Sequence, residues 1–282
     1  MITQVDVQLE TQQEVKTQQQ SYTGYLIRGL IYSALRAIDP RYAERLHSEK
    51  GLLAPVSVKP PHTLAHGKIK IYLQKVPANT TFSVQITALD QQLAELLCKA
   101  LINQQENIIE LAQAKAKIIS LAVKQVDLKR LQQNNLNDRK FAIRFLTPTF
   151  FRVRIPKTIR STERVRVLPL PDPIRMFTNL CNIWNVYLKP RIKKDYLEWL
   201  QQYPILISRL KDIKTHRYYE HPVKGVFAVG FTGIAYYALA EDAYDKYMAR
   251  TTCQLLKLAE YSNVGGNRTA GFGWVEIRYP RG

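Results

Sequence analysis

Five histidines and three cysteines are the scarce reactive side chains of this 282-residue sequence. His47 stands between a helical stretch and Gly51, with Tyr32, Tyr42 and Lys50 near it in sequence. An imidazole that titrates close to neutrality can give and take a proton, and a neighbouring phenol or ammonium can position a substrate or offset developing charge. RNA is a polymer that such groups can cut without a metal, because its own 2′-hydroxyl supplies the nucleophile. A histidine at a helix end is equally an ordinary C-terminal cap, favoured by the helix dipole. Spacing alone leaves both readings open.

The other candidates are weaker. His62 and His66 are four apart but lie in a Pro-rich turn region, where that spacing does not bring two rings to one helix face; a zinc site would need further ligands. His216 and His221 flank Arg217-Tyr218-Tyr219 and read as surface residues beside aromatic neighbours. Cys98, Cys181 and Cys253 are odd in number and each sits in an apolar, helical context, which predicts reduced core residues. No group of carboxylates has the clustering a metal-dependent nuclease requires, so no metal site is expected.

A second stretch with chemical potential is the loop Val264-Gly265-Gly266-Asn267-Arg268-Thr269-Ala270-Gly271-Phe272-Gly273. Glycines let a backbone turn through positive φ and press its N–H groups against phosphates. A mononucleotide loop has a strand before it and a helix after it. Here the order is reversed, with a helix expected over 242–261 and a strand over 274–279. A loop laid along a polyanion fits that order, through Gly265, Gly266, Asn267, Arg268, Gly271 and Gly273; a turn closing a sheet edge fits it as well.

Charge favours the polyanion. Lysine and arginine exceed aspartate and glutamate by 41 to 23, a formal net charge of +18, and 46% hydrophobic residues supply a core. From position 139 to 166 the basic residues are Arg139, Lys140, Arg144, Arg152, Arg154, Lys157, Arg160, Arg164 and Arg166, against Glu163 alone. Arg152 and Arg154 would share a face of a strand, and residues 155–165 read as a basic hairpin suited to phosphate contact. No apolar run has the length of a membrane span, and the opening residues MITQVDVQLE lack a signal-peptide pattern, so a cytoplasmic protein away from membranes is expected.

These sites need elements to hold them. Val5, Val7 and Leu9 alternate as a strand does, and a helix follows over 22–38 with Ser21 as its expected cap. Asp39-Pro40 opens a second short helix carrying His47 near its end. Strands are expected over 52–59, before the turn-rich Pro60-Pro61-His62, and then over 68–75 and 82–86; a helix over 90–103 and a strand over 118–126 follow. The polar run to Asp138 predicts a boundary. Beyond it, strands around Thr147-Pro148-Thr149, a helix from Asp172-Pro173, strands over 205–213 and 223–237, the late helix and the last strand repeat the order. The prediction is an α+β chain of two tandem ferredoxin-like domains with antiparallel sheets, over 1–138 and 139–282.

Together these stretches resemble one family, the CRISPR-associated endoribonucleases that cut repeat RNA into guide RNAs, Cas family six. The likeness covers most of the chain. It is carried by the loop ending in Gly271-Phe272-Gly273, by Gly29-Leu30-Ile31-Tyr32 followed by Leu46-His47, and by Thr147-Pro148-Thr149 with Phe151-Arg152. Asn263 departs from the pattern, standing where many members have a glycine.

The resemblance implies a metal-independent cut leaving a 2′,3′-cyclic phosphate and a 5′-hydroxyl. His47 would carry a proton, Tyr32 would be a second acid–base or positioning group, and Lys50, or else Lys59, would stabilise the pentacoordinate phosphate. It further implies CRISPR repeat RNA in the precursor transcript as partner, an effector complex as recipient of the guide, no cofactor, and a monomer or homodimer. The alternative within the same resemblance is a non-catalytic protein that binds repeat RNA and delivers or retains the guide.

Overall fold

The structure is a computed structural model that describes residues 1–17, 21–48, 53–104, 108–127, 139–155, 165–221 and 225–279. The chain forms two compact units: Met1–Asp127 with Tyr218–Phe227 and Thr269–Gly271 make the first, and Leu128–Arg217, Ala228–Arg268 and Phe272–Gly282 the second. The expected boundary at Asp138 falls outside the described residues.

In the first unit, β1 (Ile2–Thr11) and the short β2 (Val15–Lys16) precede α1 (Thr23–Ile38) and α2 (Pro40–Ser48). Then come β3 (Val56–Ala65), β4 (Lys68–Ile71), β5 (Lys75–Val76), β6 (Thr80–Ala88), α3 (Gln91–Gln104), β7 (Ile108–Leu111) and β8 (Ala114–Val126). The main sheet has the order β4-β3-β6-β1-β8-β7 with antiparallel neighbours. Its kernel β3-β6-β1-β8 is the ferredoxin-like order. Val5, Val7 and Leu9 of β1 and Phe82, Val84 and Ile86 of β6 bury one face of the sheet, in one core with Ile27, Leu30, Ile31 and Leu35 of α1 and Leu93 and Leu97 of α3. Each such burial is worth roughly 1.5–3 kcal/mol.

Two expectations change in this unit. Ser21 does not cap α1: Tyr22 holds the cap position without a side-chain bond, and the Ser21 hydroxyl donates to the Tyr219 carbonyl at 2.9 Å. Pro60-Pro61-His62 is not a turn but lies inside β3. The ladder slips there, from Lys59 opposite Gln85 to His62 opposite Ser83, and a slip is where a strand tolerates residues that cannot donate an N–H.

The second unit repeats the order. β9 (Lys140–Thr149), the pair β10 (Phe151–Arg154) and β11 (Val165–Leu168), α4 (Pro173–Tyr187), α5 (Lys194–Leu200), β12 (Ile205–His221), β13 (Val226–Leu239), α6 (Lys246–Ser262) and β14 (Val275–Arg278) follow one another. The sheet runs β12-β13-β9-β14, the same ferredoxin-like order. Asp172 caps α4 by accepting from the Arg175 N–H at 2.8 Å, and Asp245 caps α6 by accepting from Met248 at 2.9 Å. Cys181 and Cys253 are buried and Cys98 is half-buried, and none of the three is in a disulfide. Among the described residues no helix is long and apolar enough to cross a membrane.

Candidate nucleic-acid interface

The helices carrying Tyr32 and His47 meet at one residue. The Asp39 N–H donates to the Leu35 carbonyl at 2.8 Å and closes α1, while its carboxylate accepts from the Tyr42 N–H at 2.9 Å and opens α2. Pro40 suits the first position of α2, where no N–H partner is needed. Tyr42, Ala43 and Leu46 bury the apolar side of α2, and His47 takes its last turn. Lys50 lies outside the described residues. Lys59 is half-buried on β3. Tyr32 packs partly against the core, and burial raises its phenol above the ordinary value of 10.0, with Arg28 pulling the other way. Tyr32 is therefore a proton or hydrogen-bond donor at neutral pH.

The glycine-rich loop is tied into the second unit mainly by its own backbone. Asn263 ends α6 at φ 54° and ψ 175°, a conformation that normally only glycine adopts, and its amide donates to the Phe272 carbonyl at 3.0 Å. The Gly266 N–H donates to Phe150 O at 2.9 Å and the Gly273 N–H to Pro148 O at 3.0 Å. The Gly265 N–H donates to the Asn179 side chain at 2.9 Å, and the Trp274 N–H to the Thr147 hydroxyl at 2.9 Å. Thr147-Pro148-Thr149-Phe150 is thus the loop's brace. Arg268, expected to contact the polyanion, is 4% exposed and donates to the Ser262 carbonyl at 2.9 Å; burial pulls its guanidinium down to about 10. It fastens the loop from inside.

Within the first unit the segment Thr269–Gly271 lies against α1 and β3. The buried Tyr22 hydroxyl donates to the Gly271 carbonyl at 3.2 Å. A Cβ on Gly24 would run into the Ala270 carbonyl, so only glycine permits this approach. Gly271 has φ 79° and lies so close to Pro60 that a Cβ would come within 2.9 Å of the proline ring.

The basic residues divide by strand. β10 and β11 form an antiparallel ladder from Phe151 opposite Leu168 to Arg154 opposite Val165, so the expected hairpin has its arms. Arg152 and Arg166 stand on opposite faces of it, and both are exposed. Arg152 also reaches the Asn267 side-chain oxygen at 3.4 Å. Lys157, Arg160 and Arg164 lie outside the described residues. Lys140 is exposed on β9, Arg139 is exposed with its guanidinium 4.2 Å from the centre of the Tyr244 ring, and Arg144 pairs with Glu276 at 3.4 Å.

A family model described as CRISPR-associated endoribonuclease Cas6 matches residues 143–275, which hold the β10–β11 pair and the whole glycine-rich loop. The chain is similar in sequence to the Cas6 family over that stretch, just under half of its length. Its fold is also that of solved Cas6 structures over nearly their full lengths. One Cas6 product complex superposes with a TM-score of 0.76 at 20% identity, covering 98% of this chain and 100% of that one. A second Cas6 product complex gives 0.71 at 19% identity, covering 99% and 100%. Cas6 of Thermus thermophilus gives 0.66 at 19%, covering 98% of both chains. No curated protein sequence matches the chain. β12 adds exposed basic residues that the sequence pattern above did not single out, namely Arg209, Lys211, Lys214 and Arg217. The signal was present as closely spaced basic residues along a strand.

Proposed function

We propose that this chain is a Cas6 endoribonuclease that cleaves CRISPR repeat RNA in the precursor transcript, without a metal, by in-line attack of a 2′-hydroxyl. The observation that carries this reading is the arrangement of α1 and α2: Tyr32 and His47 occupy consecutive helices joined at Asp39, in the unit that also takes in the loop segment Thr269–Gly271. His47 moves a proton in the step. The 2′-oxygen loses its proton and bonds to the adjacent phosphorus, the bond from phosphorus to the 5′-oxygen breaks, and that oxygen gains a proton. The products are a 2′,3′-cyclic phosphate and a 5′-hydroxyl. Tyr32, protonated at neutral pH, donates a hydrogen bond to the reacting phosphate or its leaving oxygen. Lys50 or Lys59 offsets the charge of the pentacoordinate phosphate. The exposed Arg139, Lys140, Arg152 and Arg166, with Arg154, Lys157, Arg160 and Arg164 of the same stretch, hold the RNA backbone.

Cleavage of labelled repeat RNAs in EDTA by the natural protein and by His47→Ala, with binding followed in parallel, tests this reading. Cleavage at one site by the natural protein, and a His47→Ala variant that binds normally with a rate at least about 10²-fold lower, is the expected result. Equal cutting by both would remove His47 from the chemistry. Binding without cutting by either would make the chain a repeat-RNA carrier.

A further inference from the structure

The first unit holds a cleft between α1 and β7 that the proposed reaction leaves unused. Its volume is about 420 Å³, inside the range of roughly 300–1,000 Å³ that small-molecule sites occupy. Tyr25, Gly29 and Ser33 line it from α1, each four residues from the next and so in one row along the helix. Gln104 at the end of α3 and Ile108 and Glu110 of β7 line the other side. Nothing lies within 4 Å of the place a Gly29 Cβ would take, so a flat group can come down to the helix backbone there.

The β7 wall is the open edge of a sheet. β7 is the end strand of the six, and Leu111 pairs with Ala114 across a two-residue turn. Such a pair exchanges both N–H···O bonds, so by alternation Ile109 and Ala116 form the next bonded pair. The N–H and C=O groups of Ile108 and Glu110 therefore point away from β8, and no described residue hydrogen-bonds to them. Each of these residues presents a donor beside an acceptor. An unstacked nucleobase carries the complementary pair on its Watson–Crick edge, as adenine does with an acceptor at N1 and a donor at N6.

The cleft also adjoins the proposed reacting centre. Tyr32 follows Gly29 by three residues and precedes Ser33 by one, so it stands beside the lining row. Arg36, exposed in the last turn of α1, is four past Tyr32 and three past Ser33 and lies between their rows. A guanidinium there suits the phosphate that joins a nucleotide in the cleft to the one being cut.

We infer that the α1–β7 cleft takes one unpaired base of the repeat RNA, from a nucleotide next to the cleaved phosphate, set against Tyr25 and Ile108 over Gly29 and hydrogen-bonded to the β7 edge. This rests on the proposed cleavage of repeat RNA and names a feature the RNA must present. The test is a panel of repeat RNAs that each lack the base at one position, bound to His47→Ala in EDTA, with the cut made by the natural protein in intact repeat as the reference position. Loss of one base next to the cut should weaken binding by about tenfold to hundredfold, the effect of one stacked base. Gly29→Leu, added to His47→Ala, keeps a good helix former at that position and fills the cleft. It should melt no lower than its parent, bind intact RNA more weakly by the same factor, and bind intact and base-less RNA alike.

A Gly29→Leu protein that binds every RNA of the panel as its parent does would overturn the inference and leave the β7 edge to a protein strand. So would a panel in which no base next to the cut matters. In both cases cleavage of intact repeat by the natural protein still upholds the proposed function. If the natural protein binds repeat RNA without cutting it, the cleavage reading falls, and a single sensitive base to which Gly29→Leu is blind still upholds the cleft as a base site. If it binds no repeat RNA, both fall together.

Discussion

At the scale of single residues the two helix-borne groups are not equivalent. An imidazole, the group proposed at His47, can both give and take a proton, whereas burial holds the Tyr32 phenol above 10.0 and keeps its proton on it. In the proposed reaction Tyr32 acts by donation, and Tyr32→Phe should then lower the single-turnover cleavage rate by about 10–10²-fold with RNA affinity unchanged. The sign of the shift also sets a pH expectation. A raised phenol pKa means no loss of activity from Tyr32 ionisation as pH rises to 9, and a decline below pH 9 that Tyr32→Phe abolishes would contradict the donor role. Arg268 shows the opposite lesson. Its place among glycines reads as a phosphate contact, yet it is buried against the Ser262 carbonyl. Nothing in composition distinguishes an arginine that reaches outward from one that ties a loop to the helix before it.

At the scale of elements, α1 shows why two glycines in one helix need different explanations. A Cβ at Gly24 would meet the Ala270 carbonyl, while one at Gly29 would meet nothing within 4 Å. Gly24→Ala should cost about 1–3 kcal/mol in chemical denaturation through overpacking, because the carbonyl is backbone and cannot step aside as a flexible side chain can. Gly29→Ala should be neutral or stabilise by up to roughly 1 kcal/mol. Equal effects at the two positions would mean that the loop segment does not rest on α1. The alternation in β1, β6, β9 and β14 made the two ferredoxin-like sheets legible, because one buried face imposes period two. The bulge at Pro60-Pro61 was not legible, since proline is a turn signal wherever a ladder slip is not already known. Nor was the assignment of Tyr218–Phe227 and Thr269–Gly271 to the first unit, which depends on packing between residues some 200 or more positions apart in the chain.

At the scale of the whole molecule the formal charge of +18 has to be reconciled with folding. Like charges repel in the compact state, and the ion pairs that offset this include Lys75 with Glu14, Lys124 with Asp6, Lys257 with Glu260, and Arg144 and Arg278 sharing Glu276. Arg152, Arg166, Arg209, Lys211, Lys214 and Arg217 remain exposed on strands, where neighbouring positions on one face recur at a spacing of roughly 6.5–7 Å. That is close to the repeat of a nucleic-acid backbone, so successive side chains can meet successive phosphates, and counterion release then dominates affinity. If six or more phosphates are neutralised, repeat-RNA affinity should fall by about 3 × 10²-fold or more between 50 and 200 mM salt. A titration over that range, made with His47→Ala so that the RNA stays whole, measures the slope. Replacing Arg152 and Arg166 together should make it shallower by about 1.4, taking roughly 0.7 per phosphate on a single strand. A slope that stays the same would place the polyanion on other basic residues, with the strands of β12 next to be replaced.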